Sequence, residues 1–179
     1  MARVNIIGAP GSGTSTVGRV LSETTGWSVF DADDFFWRQT KIPYTEKNAS
    51  QERQNFLESM ISKHENWIIC GTMDTWSSPI EPFLDLVVHL VVPTEVRVSR
   101  VKEREKDKFG NRILPGGDMH EVHQNFLQWA KNYYSDSDRG RIRHERYLKL
   151  LKRLKCPVLR INGELDVQEI VLSIKEACE

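Results

Sequence analysis

A three-layer α/β fold is the architecture that this 179-residue sequence predicts, on three observations. Five short apolar runs are spaced along the chain, with helical patterns between them. Several of the runs are continuous rather than alternating, as strands buried on both faces of a parallel sheet require. The first run leads directly into a glycine-rich loop and then a helix. Strands alternating with helices of these lengths stack into a central sheet covered on both sides.

The strand candidates are RVNIIG (Arg3 to Gly8), WSVFDAD (Trp27 to Asp33), NWIICG (Asn66 to Gly71), LDLVVHLVV (Leu84 to Val92) and CPVLRI (Cys156 to Ile161). Between the first two, Val17, Val20, Leu21 and Thr24 share one helical face. Phe56, Leu57, Met60 and Ile61 mark a second helix, and Pro93 and Thr94 open a third through EVRVSRVKEREKDK. Met119, Val122, Phe126 and Trp129 form a further apolar stripe, followed by a helix through RHERYLKLLKRL. The last helix, DVQEIVLSIKEA, has Asp166 as its cap. With no internal repeat or low-complexity linker, the length suits one domain over residues 1–179, with a lid insertion at about 106–143.

Basic and acidic residues balance at 25 each, so no overall field draws the chain to nucleic acid or an anionic membrane. The stretch LVVHLVVP is of strand length and far short of a membrane span. MARVNIIGAP holds too short an apolar run for a signal peptide. Cys70, Cys156 and Cys178 share no close spacing, so free thiols are expected. These features predict a cytoplasmic monomer or homodimer whose partner is a small molecule.

The loop GAPGSGTST fits the spacing G-x-x-x-x-G-K-[ST], with Gly8, Gly11, Ser12, Gly13, Thr14, Ser15 and Thr16 as candidate phosphate-binding residues. Glycines let successive amides face inward toward phosphate oxygens, and the following helix adds its positive end. Ser15 occupies the position whose hydroxyl reaches Mg²⁺ in such loops. Thr14 stands where the loop carries a lysine, so the backbone cradle is kept and its side-chain cation is missing.

Asp31 and Asp33, two apart at the end of the second strand, are expected to point the same way. Asp31 is assigned to the metal side with Ser15, and Asp33 to the acceptor as the group that takes a hydroxyl proton. Asp34 caps a short helix in the plainer reading, and Phe35, Phe36, Trp37 and Tyr44 line either an acceptor pocket or a core. Arg97, Arg100 and Arg104 recur along one helix face, either as a solvated surface or as a lid that closes over a triphosphate. Arg139, Arg141 and Arg143 cluster further on. Arg100, Arg104 and Arg141 are the leading candidates to replace the missing lysine. His120 and His123 read as a surface pair rather than a metal site, His89 as a satisfied core residue, and His144 as an outside candidate for substrate contact.

Through GAPGSGTST, DADDFFW, LVVHLVVPTEVRVSRVKERE, FGNRILPGGDMHE and CPVLRING, nearly the whole chain resembles the P-loop nucleoside and nucleotide kinase superfamily. It looks most like small bacterial adenylate-kinase-like proteins, often described as AAA-family ATPases. The resemblance implies a five-stranded parallel sheet in the order 2-3-1-4-5, ATP and Mg²⁺ as cofactors, an arginine-bearing lid and a small-molecule phosphoryl acceptor. It also implies a metal-side role for Asp31, an acceptor role for Asp33, and an adenine site near Asn162. The glycine run that binds shikimate is absent after the third strand, where only Gly71 stands. Some proteins resembling archaeal cytidylate kinases share threonine after the final glycine. A nucleotide-binding protein with degenerate catalysis and a slow NTPase are the alternatives.

Overall fold

The computed structural model describes residues 1–73, 76–135 and 137–179. Strands β1 (Arg3–Gly8), β2 (Ser28–Asp31), β3 (Trp67–Cys70), β4 (Leu86–Val91) and β5 (Val158–Asn162) form one sheet in the order β2-β3-β1-β4-β5. Every pairing is parallel. The three-layer class is the one the sequence predicts, and the order is the one the family resemblance implies. The strand cores match too: β1 has the expected bounds, β2, β3 and β4 are one or two residues shorter at each end, and β5 starts two residues later and ends one later.

Helices α1 (Thr14–Thr25), α2 (Ala32–Phe36), α3 (Ser50–Ile61), α4 (Thr94–Phe109), α5 (His120–Lys131), α6 (Asp138–Arg153) and α7 (Val167–Cys178) complete the chain. Along β1, Val4 and Ile6 face a core shared with Val17 and Leu21 of α1 and with Ile170, Val171 and Ile174 of α7. Ile7 faces the opposite core, with Phe35 of α2, Leu57 of α3 and Leu150 of α6. Strand β3 divides likewise, Ile68 and Cys70 to one side and Trp67 and Ile69 to the other. Burial on both faces is the reason these strands read as continuous apolar runs. A third, smaller cluster of Phe109, Ile113 and Met119 packs with Ile42, Tyr44 and Val122. It joins the segment 109–122 to the loop after α2.

Two details carry the sheet's geometry to the site. Buried Asn5 donates from Nδ2 to the carbonyls of Ile69 (2.9 Å) and Gly71 (3.2 Å), holding the end of β3 against β1. In α1, Gly18 lies so close to β3 that an added Cβ would run into Cys70 Sγ. The close approach seats α1, and with it the glycine loop, directly on the sheet. Gly18→Ala is therefore expected to destabilise the fold by about 1–3 kcal/mol through overpacking. Urea unfolding should show a lower midpoint at unchanged slope, and an unchanged midpoint would contradict the close seating.

Candidate functional site

The glycine loop leaves β1 at Gly8, and Gly11 and Gly13 hold φ of 83° and 95°, a region that side chains disfavour. The Ser12 amide closes a tight turn onto the Ala9 carbonyl at 3.0 Å. The Ser12 hydroxyl is buried beneath Gly8, with no hydrogen-bond partner. Gly13 is the N-cap of α1 and brings no side-chain cap. The amides that open α1 thus point outward with the helix's positive end behind them. Thr14, half-buried, is the first residue of α1 and supplies no charge.

The loop is held from behind by Arg97. Only 1% exposed, Arg97 donates to Val92 O (3.2 Å), Pro10 O (3.1 Å), Ala130 O (3.3 Å) and Thr94 Oγ1 (2.9 Å). Its own carbonyl fills the space that a Cβ on Gly11 would need. This corrects the expectation of one arginine face on α4. Arg97, Val101, Glu105 and Phe109 form the buried row, four residues apart, and Arg100 and Arg104 flank it. Arg100 Nη1 donates to Gly163 O at 3.2 Å, against the turn after β5. Arg104 lies 3.7 Å from Glu105 Oε1 and 5.9 Å from the Phe126 ring centre, with more than half of its side chain exposed.

The carboxylates follow a different geometry from the one expected. Strand β2 ends at Asp31, so Asp33 belongs to α2 and does not share an extended face with it. The turn has a local cause, since Asp31 Oδ1 accepts the Asp33 amide at 3.0 Å and caps α2. Asp31, not Asp34, is the cap. Its other oxygen, Oδ2, accepts the Ser15 hydroxyl at 2.6 Å. One carboxylate therefore ties the phosphate loop to the start of α2. Ser15 and Asp31 present hard oxygen donors, which suit Mg²⁺ held jointly with phosphate oxygens. No cluster of three His, Cys, Asp or Glu that could cage a metal occurs among the described residues.

Although Asp33 is exposed as a residue, protein crowds its carboxyl enough for desolvation to raise its pKa. The Asp31 charge adds to the rise, while a Trp37 hydrogen bond and Arg104 oppose it. Arg104 is thus the α4 arginine whose charge acts on Asp33. Trp37, which bonds this carboxyl, packs on Phe36 (ring centres 4.8 Å apart), with Tyr44 5.9 Å from Trp37. Tyr44, at φ 65°, accepts a 2.7 Å hydrogen bond from Lys108 Nζ on its hydroxyl. The loop after α2 and the last turn of α4 are therefore latched together.

Arg141 is exposed on the first turn of α6, whereas Arg143 lines a small cavity beside Gly8 and Thr72. The histidines depart from a surface pair. His123 is 6% exposed and bonds Glu105 Oε2 at 3.1 Å, and His120 bonds the Ile113 carbonyl at 2.9 Å. Arg97 and Arg143 are site residues that spacing alone did not rank. For Arg97 the signal was present in Val101 and Phe109, which continue its row.

Residues 4–123 match the family described as an AAA domain. An uncharacterized protein of Bacillus subtilis (strain 168), YqaC, is 35% identical over 170 residues, spanning 94% of this chain and 92% of that one. A cytidylate kinase of Archaeoglobus fulgidus is 30% identical over 115 residues, 58% of this chain and 62% of that protein. Among solved structures, deoxyadenosine kinase from M. mycoides with bound dATP gives a TM-score of 0.58 at 17% identity, covering 97% of each chain. A shikimate kinase from Bacteroides thetaiotaomicron also gives 0.58, at 14% identity over 98% of this chain and 97% of that one. These two structures share the fold.

Removing Arg97 would leave the Val92 and Pro10 carbonyls without their buried donor, while the Ala130 carbonyl keeps the Asn132 amide. At about 1–3 kcal/mol for each unpaired group, Arg97→Ala should cost at least ~2 kcal/mol and lower the melting temperature by ~4–8 °C. ADP affinity should fall with it. A variant that melts like the wild type and binds ADP normally would contradict the buttress.

Proposed function

We propose that this chain, which belongs to the AAA-domain family and has the P-loop nucleoside and nucleotide kinase-like fold, is an ATP-dependent phosphotransferase. Its acceptor is a nucleotide, a nucleoside or another small hydroxylated metabolite. The observation that carries this reading is the linkage Ser15–Asp31–α2. A phosphate loop and an acceptor-side carboxylate are joined through one shared side chain. The cytidylate kinase name of an aligned relative and the kinase folds of the solved structures support it.

In this reading the loop amides of residues 11 and 13–16 hold the β- and γ-phosphates of ATP. Ser15 and Asp31 hold Mg²⁺, which would supply charge neutralisation at the phosphates. Asp33 accepts the proton of the acceptor hydroxyl. The acceptor oxygen forms its bond to the γ-phosphorus, and the bridging oxygen leaves with ADP. The raised pKa of Asp33 places the acid limb of the rate profile above the ordinary aspartate range, since the carboxylate must be ionised to accept a proton. Arg104, with Arg100 and Arg141 as alternatives, brings positive charge that Thr14 does not provide.

Thr14 supports a second reading, a nucleotide-binding protein with degenerate catalysis or a slow NTPase. A panel of acceptors with ATP and Mg²⁺, following ADP and phosphorylated product separately, distinguishes the two. Transfer predicts product equal to ADP, and free phosphate without product contradicts it. With a confirmed acceptor, Asp33→Asn should slow transfer by about 10²–10⁴-fold with ATP affinity nearly unchanged. Arg104→Ala should be similarly impaired and partly rescued by Thr14→Lys. Full activity in Arg104→Ala would place the compensating cation elsewhere.

A further inference from the structure

The short helix α2 presents two faces. Ala32 and Phe35 turn inward and are buried, whereas Asp33, Phe36 and Trp37, at i, i+3 and i+4, share the outer one. The chain returns to α2 after the loop that follows it. The Asn48 amide donates to the Phe36 carbonyl at 2.9 Å, and Asn48 Nδ2 donates to the Phe35 carbonyl at 2.9 Å, which fixes where α3 begins. Arg53, in the first turn of α3, is thereby laid over the Phe36 ring. Its Cζ is 4.7 Å from that ring centre and 5.6 Å from the centre of buried Trp76. Lys47, paired with Trp37 by an antiparallel bridge, brings Nζ to 5.3 Å from Phe36 and 5.8 Å from Trp37.

Two cations therefore stand on the rings that share the face of Asp33. Among the described residues, no carboxylate pairs with either side chain and no acceptor takes a hydrogen bond from either. Arg53 is half-buried, and its Nε is buried without a partner. The acids beside them are engaged elsewhere. Glu52 accepts the Ala49 amide at 2.9 Å and lies 3.5 Å from Arg38, while Arg104 acts on Asp33 and Lys108 on Asp34. Stacking explains where Arg53 sits without using its donors. A ring holds a guanidinium by its face and leaves the N–H groups at the edge, where a carboxylate or phosphate meets them as a forked pair. An aliphatic side chain would cover Phe36 as well without taking a charge partly out of water.

We propose that Arg53 and Lys47 form an oxyanion subsite on the acceptor face, holding a carboxylate or phosphate group of the acceptor while a separate hydroxyl lies at Asp33. Trp37 connects the two ends, since it bonds the Asp33 carboxyl and lies under Lys47. The inference rests on the phosphotransferase reading and deepens it. The acceptor is an anionic molecule whose charged group is distinct from the hydroxyl that is phosphorylated, so an uncharged nucleoside is excluded.

The test uses the whole protein with Mg²⁺ and the non-hydrolysable ATP analogue AMP-PNP, which fills the γ-phosphate position so that added phosphate cannot take it. Inorganic phosphate and acetate are the probes, and glycerol is the uncharged control. The Nε–H signal of Arg53, assigned with Arg53→Lys, should shift saturably with at least one anion and stay fixed with glycerol. The anion that binds more tightly names the group. By calorimetry, Arg53→Met should weaken that anion at least about tenfold, the loss of one charge-assisted hydrogen bond. Lys47→Met, on an exposed side chain that the fold does not need, should weaken it about threefold. Arg53→Lys keeps the charge but not the fork and should fall between wild type and Arg53→Met. An Arg53 signal that neither anion moves, or anion affinity equal in wild type and the Arg53 variants, would overturn the subsite. Binding at Arg53 without transfer to any acceptor would sink the phosphotransferase reading alone. Transfer to neutral acceptors with a silent Arg53 would sink the subsite alone.

Discussion

The guanidinium of Arg97 joins the parts of the molecule that the site needs in register. From one buried position it reaches the glycine loop at Pro10, the end of β4 at Val92 and the end of α5 at Ala130. Three backbone carbonyls and the Thr94 hydroxyl, rather than a carboxylate, take its hydrogen bonds. Because α4 and α5 are both tied to the glycine loop at this point, a hinge beside the loop would break the contacts that shape it.

The same arrangement bears on Thr14. A phosphate cradle made of backbone amides survives loss of a lysine side chain, since its shape comes from Gly11, Gly13 and the uncapped start of α1. Around the loop, Arg104 acts on Asp33 from α4, and Arg143 of α6 lines the same small cavity as Gly8. Asp31 restrains the other side by serving two bonds at once, the cap of α2 and the hydroxyl of Ser15. Substituting Asp31 would therefore disturb the loop and the acceptor helix together, so its effects cannot be divided between metal and fold.

Much of this was legible before the fold was seen. Parallel strands buried on both faces advertise themselves by unbroken apolar runs, and the glycine spacing places the tight loop between β1 and α1. What escaped has a common cause. The short helix α2 depends on a hydrogen bond from Asp33 to Asp31, a local closure that competes with the apolar run WSVFDAD leading into it. Arg97 and His123 are polar residues inside, and polarity alone assigns such residues to the surface. The partners that hold them in place across elements, Pro10 and Ala130 for Arg97 and Glu105 for His123, lie 18 to 87 residues away in sequence. No local pattern contains those partners.

The central claim is that backbone amides hold the transferring phosphoryl group while a lid arginine supplies the missing cation. A crystal structure with ADP, aluminium fluoride and Mg²⁺ tests it most directly. The account predicts the fluoride group on the amides of residues 13–16, the Arg104 guanidinium moved from Glu105 onto it, and Asp33 on the opposite side. Nucleotide bound with no arginine near its phosphates, or a loop that binds no nucleotide at all, would contradict the account.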